Sequence, residues 1–595
     1  MQPDKPKYDN RKKLYPELEE QLKQRGVQPL LARMLSQRKI GDVETFLNPP
    51  QDAYLHLENL SLVKNIRGVS DLLADMAKNH KVASVIGDYD ADGIVSSYMM
   101  KRICEILGVE CNVFLPSRFE HGYGLNKETV GAFLYSTMLN NIPDVLFVLD
   151  CGSSSEKEVQ DLKAHRNVNK IVVIDHHLIK EDAFSKSADL VASWCMSESQ
   201  EMCACGLVYL VALDMFVAHG ILTQENLQEL LCLAAIGTIA DMMPITKDNR
   251  IIVKQGLGFC DKLSSAGLTR LIQACKKGNK TITQSQVGFN LAPQLNAGGR
   301  LSTPQDAFDL LVSKDQEEIT DLLAILDANN KNRKEIQRCM LEEAFPMIDE
   351  KEMKYGIFLF NPKWNTGVVG IAAQRLAEKF GRPAVVLGRV KGIPKGSGRS
   401  IEGISLIKIL GMCQEMFAGY GGHDAAAGMS LKKNYLDKSL KMFNDACQKV
   451  FTEAGLEPGD NKKRYDAVLS PATVNEDTHK VVGSLYPYCR TNNPEPIFKL
   501  ANASVSFVDK AVAQDGKKWN RLGFRVEGVD YKFSTFDDEV TECVNLCISL
   551  KKKANVYFKF SQNDTDKWGM QFDIVGVEAV EKLNNGTMPN IEGCQ

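Results

Sequence analysis

The stretch that most constrains this chain is Lys170-Ile171-Val172-Val173-Ile174-Asp175-His176-His177. A short β-branched apolar run of this kind reads as a strand buried on both faces of a parallel sheet. Its carboxyl end delivers one carboxylate and two imidazoles, and open parallel sheets bind ligands at the carboxyl ends of their strands. Taken alone, Asp175-His176-His177 reads more readily as an aspartate capping the next helix beside two hydrogen-bonded histidines. What favours metal ligation is repetition, with two more carboxylate clusters upstream and one downstream.

The first lies after Lys81-Val82-Ala83-Ser84-Val85-Ile86, in Gly87-Asp88-Tyr89-Asp90-Ala91-Asp92-Gly93, and leads into an apolar helix from Ile94 to Leu107. Three carboxylates at alternate positions repel one another unless a cation joins them. An EF-hand loop has similar spacing but needs helical flanks and a closing glutamate, which this segment lacks. The next strand, Glu110–Leu115, precedes Arg118 and Gly122-Tyr123-Gly124; Arg118 suits a phosphate clamp or a surface ion pair. Val145–Leu149 then ends in Asp150-Cys151-Gly152-Ser153. Downstream, Asp241 closes the apolar run Leu231–Ala240, where it is either paired, metal-bound or a helix-end cap. The repeated strand–turn–helix order predicts an α/β, doubly wound parallel sheet. Mixed carboxylate–imidazole ligation suits Mn²⁺ or Mg²⁺, and so many acids predict two ions suited to in-line hydrolysis of a phosphoester.

Farther along, residues 291–300 read as a Gly-rich turn ending in Arg300, and a long linker helix is expected over 305–345. A second α/β unit begins at Tyr355. Its Gly396-Ser397-Gly398-Arg399-Ser400 and Gly421-Gly422-His423-Asp424 read as flexible turns exposing N–H groups to an anion, or as ordinary tight turns. Past residue 456, short alternating runs predict a small β-barrel. Lys517-Lys518-Trp519 and Lys551-Lys552-Lys553, with Tyr557 and Phe558, there either mix charge with rings as single-strand binders do or make an ordinary solvated β-surface. The expected division is an N-terminal helical segment (1–50), a first α/β domain (51–300), the linker helix (301–345), a second α/β domain (346–455) and an OB-like barrel (456–590).

Composition narrows the partners. A formal charge of −3 leaves nucleic-acid binding to local basic patches. Sixteen scattered cysteines without paired C-x-x-C knuckles, and no hydrophobic signal core after the polar start, predict a reducing, cytoplasmic setting. No apolar run approaches the roughly 20 residues needed to span a membrane.

Asp88-Tyr-Asp-Ala-Asp-Gly93, Asp150-Cys-Gly152, Asp175-His-His177 and Asp241 together resemble, in order, the motifs of the DHH phosphoesterase superfamily. Leu295-Asn-Ala-Gly-Gly-Arg300, Lys395-Gly-Ser-Gly-Arg-Ser400 and Gly421-Gly-His423 resemble its RecJ branch and the DHH-associated domain, so the likeness runs from about residue 20 to 580. The resemblance implies a 5′→3′ exonuclease on single-stranded DNA that releases nucleoside 5′-monophosphates, with roles in repair and recombination. It implies metal ligands at Asp90, Asp92, Asp150, His176 and Asp241, with Asp88 and His177 in or beside that set and Asp175 orienting a ligand histidine. A terminal-phosphate pocket would fall on Arg118, Arg300, Ser397, Gly398 and Arg399, and Gly421, Gly422 and His423 would meet the substrate backbone. A monomer is expected, with a helicase or single-strand-binding protein as a conceivable partner. Two other readings are a phosphodiesterase of oligonucleotides or cyclic dinucleotides, and a silent single-strand-binding replication scaffold. Two departures from the family pattern stand out: Asn365 follows Trp364 where histidine is usual, and Cys489-Arg490-Thr491-Asn492 replaces a Gly-x-Gly-Asn element.

Overall fold

Five short apolar runs build the sheet that carries the acids. Their order across the sheet is Cys111–Phe114, Ala83–Ile86, Val145–Leu149, Lys170–Ile174 and Leu190–Ala192, and every neighbouring pair is parallel. Ala83–Ile86 and Val145–Leu149 are buried along their whole length, which is why they read as continuous apolar runs and not as alternating ones. The chain starts on Ala83–Ile86, winds one way to Cys111–Phe114, and then returns to Val145–Leu149 on the other side. The crevice opened by that reversal lies between the strand ends that carry Asp88 and Asp150, the place where a doubly wound sheet takes a ligand. The fifth strand, Leu190–Ala192, is too short to announce itself in sequence.

The computed structural model describes residues 8–10, 15–122, 124–138, 143–164, 168–179, 184–196, 201–276, 280–459, 463–489, 492–512, 520–535, 537–561 and 570–580. The chain divides into two compact units, one built on Gln51–Lys462 and the other on Tyr8–Pro50 with Lys463–Gln595.

In the first unit, helices Ala91–Leu107, Ala204–Asp214 and Gln224–Ala240 pack on one another behind the sheet ends. Two expectations change there. Residues 292–301 form a helix, not a turn. Its glycines serve close approach: a Cβ at Gly299 would lie 2.5 Å from the Tyr89 carbonyl oxygen, and one at Gly298 2.1 Å from that of Thr303. The expected long helix is broken into Gln305–Val312 and Gln316–Ala344, because Asp315 starts a new helix by accepting the N–H groups of Glu317 and Glu318, each at 2.9 Å.

The second sheet of this unit runs Phe417–Gly422, Ala426–Leu431, Ile393–Arg399, Ala384–Val390, Ile357–Phe360, and only its last pair is parallel. Of the two Gly-rich segments read as turns, Gly396–Arg399 lies in a strand, whereas Gly421-Gly422 ends a strand and His423-Asp424 form the turn to the next one. A Cβ at Gly396 would fall 2.0 Å from the Val386 carbonyl oxygen, so these glycines let strands meet. Register sets Gly428 between Ser397 and Gly421, and Ala427 between Gly398 and Gly422.

The second unit holds one seven-stranded mixed sheet in the order Ala467–Leu469, Phe498–Ala503, Ala554–Phe560, Phe572–Ala579, Lys532–Thr535, Asn520–Val526, Val505–Val512. Among the described residues the two end strands do not pair, so the sheet order is open and not a closed ring. Phe498, Phe524, Phe533, Phe558 and Phe572 fill its core, with the Phe533 and Phe572 rings stacked 4.5 Å apart. Tyr557 and Phe558 belong to that core, 1% and 0% exposed, so they are not the surface rings their lysine-rich surroundings implied. Lys517-Lys518-Trp519 lie outside the described residues. The N-terminal helices Pro16–Gln24 and Pro29–Gln37 are part of this unit, tied in by a fully buried Arg38–Asp466 ion pair at 3.1 Å. No helix among the described residues is long and apolar enough to cross a membrane.

Candidate metal centre

Each acid is placed by a local device. Asp88 leaves its strand fully buried, pressed against the start of helix Ala91–Leu107; a Cβ at Gly93 would sit 2.5 Å from the Asp88 carbonyl oxygen. Asp90 caps that helix, its Oδ1 accepting the N–H groups of Asp92 at 3.0 Å and Gly93 at 3.2 Å. Asp92 lies in the first turn, and its two oxygens accept the N–H groups of Ala204 (2.7 Å) and Cys205 (3.1 Å). The positive end of helix Ala204–Asp214 thus faces a buried carboxylate. Gly237 makes room for this contact, since its Cβ would come within 2.7 Å of Asp92 Oδ1.

Asp150 adopts φ +62°, a left-handed conformation that aspartate tolerates at a cost, and Gly152 follows at +97°. On the neighbouring strand end, Asp175 accepts from the Ser153 N–H at 3.0 Å and contacts His177 Nδ1 at 2.8 Å. His176 is held by its backbone, whose carbonyl accepts from Trp194 Nε1 at 2.9 Å. Its Nε2 lies 3.1 Å from Asp150, 3.5 Å from Asp241 and 3.8 Å from Asp92. Asp241 comes to the same point as the C-cap of helix Gln224–Ala240, so the cap reading holds and leaves its carboxylate facing His176.

Three overlapping groups could each hold a metal ion: Asp88–Asp90–Asp150, Asp150–His176–His177 and Asp92–His176–Asp241. Asp150 and His176 each belong to two of them. The residues fit such ions, because Oδ1 of Asp88 and Oδ1 of Asp150 are buried with no hydrogen-bond partner. Although Asp150 Oδ1 is 3.1 Å from His176 Nε2, no hydrogen bond joins the two atoms. Buried acceptors left in this state are what a cation satisfies.

Electrostatics agrees. Burial, then the charge of Asp90, pushes Asp88 up to about 7. Burial and the surrounding carboxylates, Asp90 and Asp92 foremost, raise Asp150 well above the carboxylate range, and burial followed by Asp92 and Asp90 does the same to Asp241. Burial lowers His176 and leaves a neutral ring able to ligate. His177 behaves oppositely: burial disfavours its charge, but the hydrogen bond and charge of Asp175 outweigh that and raise it to about 9. Burial works against ionised Asp175 too, yet its partners hold it below the usual range.

Beside the acids three arginines converge. Arg118 lies over the Tyr89 ring, 5.5 Å from its centroid. Burial and then Arg118 lower Arg300 to about 10, and the same two causes lower Arg399. Arg300 Nη1 donates to the Gly367 carbonyl at 3.3 Å; Arg399 Nη1 donates to Ser397 Oγ (2.6 Å) and the Gly398 carbonyl (2.8 Å). Among the described residues no carboxylate forms an ion pair with any of the three, so their charge is free to meet an anion. Gly421, Gly422 and His423 are exposed, and the one hydrogen bond described for His423 is from its N–H to the Ala426 carbonyl, 2.8 Å, with none linking its ring to the acids.

Several residues that build the site carried no signal of their own. Asn296, inside the Leu295–Arg300 motif, accepts the Ala91 N–H at 2.8 Å and steadies the acidic loop. Ser153, Gly237 and Gly299 act through backbone position. Of the two departures, Asn365 Oδ1 accepts the Gly367 N–H at 2.8 Å, directly under the carbonyl that Arg300 contacts. Cys489 and Asn493 are joined backbone to backbone at 2.8 Å, while Arg490 and Thr491 lie outside the described residues.

Comparison with known proteins gives the same picture. The DHH family, N-terminal domain, matches residues 83–238, and the DHHA1 domain matches residues 353–449. The single-stranded-DNA-specific exonuclease RecJ of Dickeya dadantii is 31% identical over 443 residues, covering 70% of this chain and 74% of that protein. RecJ of Bacillus subtilis is 29% identical across 81% of this chain, which spans 60% of that relative's length. In fold, the crystal structure of Thermus thermophilus RecJ in complex with Mn²⁺ superposes with a TM-score of 0.75 at 24% identity, covering 96% of this chain and 78% of that one. The order of the acids, the paired domains and this extent of likeness mean that the chain belongs to the RecJ family of DHH-domain, single-stranded-DNA-specific exonucleases.

Proposed function

We propose that this protein hydrolyses single-stranded DNA from the 5′ end to nucleoside 5′-monophosphates, using two Mn²⁺ or Mg²⁺ ions, in DNA repair and recombination. The observation that carries the reading is the sharing of Asp150 and His176 among overlapping ligand groups, next to three arginines without carboxylate partners. The names of the relatives support the substrate class, and the Mn²⁺ complex of the Thermus protein supports the metal.

In this reading Asp88, Asp90, Asp92, Asp150, His176 and Asp241 hold the ions, with His177 beside them. Bound there, the ions supply an activated water at neutral pH and charge neutralisation at the phosphate. Asp175 fixes His177 and keeps it charged, ready to meet phosphate oxygens. Arg118, Arg300 and Arg399, with Ser397 and Gly398, hold the terminal 5′-phosphate and so set which bond reaches the acids. Gly421, Gly422 and His423 guide the backbone along the second sheet. The divisions at residues 50, 300, 345 and 455 are functional boundaries, and the C-terminal sheet acts as an OB-like surface that keeps one strand extended.

End-labelled DNA with Mn²⁺ tests this. Mononucleotides should appear from a 5′ single strand and not from blunt duplex or a 3′ single strand, and Asp150→Ala should abolish them. Preferential cleavage of a cyclic dinucleotide, or binding without cleavage, would replace the proposal with one of the two other readings.

A further inference from the structure

We propose that Leu178, Met242 and Phe289 form an apolar rim that stacks on the nucleobases next to the bond being cut; this rests on the acid cluster being the site of DNA hydrolysis. All three are large apolar side chains facing solvent, 59%, 65% and 72% exposed. Scattered exposed apolar residues need no explanation, but these are not scattered. Leu178 directly follows His177, and Met242 directly follows Asp241.

Phe289 is brought to the same place by packing. It sits in the π-helical turn Val287–Leu291, a wide turn of a type that recurs at functional sites. That turn packs on helix Gln224–Ala240, and a Cβ at Gly288 would lie 3.7 Å from Ile239 Cγ2, two residues before Asp241. Met242 is held at φ +58°, its N–H bonded to the Ile239 carbonyl at 3.1 Å. A left-handed position closing a helix ordinarily takes glycine or asparagine. Methionine there costs conformational energy and sets an apolar side chain beside the acids.

The occupant follows from the surroundings. Phosphates belong to the arginines and the metal ligands, so exposed apolar side chains next to His177 and Asp241 meet the part of a nucleotide that has a flat apolar face. None of the three side chains carries a hydrogen-bonding group able to tell one base from another, so the rim grips any sequence.

Two measurements decide the matter, using Phe289→Ala and Met242→Gly, the latter chosen because glycine accepts the left-handed backbone. Single-turnover hydrolysis compares a natural strand with one carrying abasic residues at its first three 5′ positions. Equilibrium binding without added metal uses a strand with 2-aminopurine at those positions, whose fluorescence is quenched by stacking. The parent protein should cut the abasic strand about tenfold more slowly and quench 2-aminopurine, and each variant should lose both effects while binding Mn²⁺ like the parent. Equal cutting of both strands by the parent, or unchanged discrimination in both variants, overturns the rim. If no strand is cut at all, the hydrolase reading fails, and the quenching arm still decides whether these residues touch bases.

Discussion

Asp175 spends its carboxylate on His177, 2.8 Å from Nδ1, and makes no hydrogen bond to the neighbouring His176. Of the two histidines, the one that Asp175 orients is therefore His177. His176 is instead aimed by the Trp194 contact to its backbone and by the three carboxylates around its Nε2. Through the Ser153 N–H, Asp175 also ties its own strand end to the turn that carries Asp150.

Replacing Asp175 by asparagine keeps the shape and removes the charge. His177, raised to about 9, is protonated at neutral pH in the parent. In Asp175→Asn it should titrate below neutrality, read by NMR of the imidazole, and kcat should fall about 10- to 100-fold, as for other residues that orient metal-site groups. Little change in the His177 titration would remove Asp175 from this role.

Metal stoichiometry should separate shared from unshared acids. Asp150 belongs to two of the three ligand groups, Asp241 to one. Asp150→Ala breaks two groups, leaves only Asp92–His176–Asp241 and should keep at most about one equivalent of Mn²⁺, bound more weakly than the equivalent kept by Asp241→Ala, measured by equilibrium dialysis or electron paramagnetic resonance.

The metal-free protein should become less stable as pH rises. Asp88 sits at about 7 in the folded chain against an ordinary 3.8. Between those values the folded state keeps a proton that the unfolded state has lost, so stability falls as pH climbs through the window. Asp150 and Asp241, also raised, act in the same direction. The Tm of the metal-free chain should drop from about pH 5 to about pH 7.5, less so in Asp88→Asn. Mn²⁺ should restore it most at the higher pH, because it replaces the missing protons.

End recognition should depend on the arginines and on Asn365. Arg300→Ala and Arg399→Ala should each lower kcat/KM for 5′-phosphorylated strands about tenfold or more and leave 5′-hydroxyl strands nearly unchanged. Asn365→Ala frees the Gly367 N–H and loosens the carbonyl that Arg300 contacts, so it should give a smaller loss of the same kind. Unaltered end preference in all three variants would take the pocket away from these residues.

Much of this was legible along the chain. Strands such as Val145–Leu149 are buried on both faces, so burial wrote itself as an uninterrupted apolar run, and the acids came directly after. The helix after the acidic loop could be read from its apolar run, although it begins at Ala91, capped by Asp90, and not at Ile94. The glycines misled. Gly299 and Gly396 are needed where backbones touch, in a helix and a strand respectively, and a glycine that admits a neighbour looks no different in sequence from one that turns a corner. Tyr557 and Phe558 misled for a related reason, since lysines nearby in sequence do not reveal which way a ring points.

The sequence alone determined the kind of site: strand-end acids and imidazoles in a doubly wound sheet, with arginines for an anion. Only the tertiary structure decided the partnerships. Asp92 receives the N–H of Ala204, 112 residues away, and Arg300 meets Gly367, 67 residues on. The same holds for the N-terminal helices, which join the C-terminal unit through Arg38 and Asp466. Burial periodicity and capping are set by residues a few positions apart, and so they can be read in order. Contacts across such separations leave no periodic trace, because they depend on where whole elements pack.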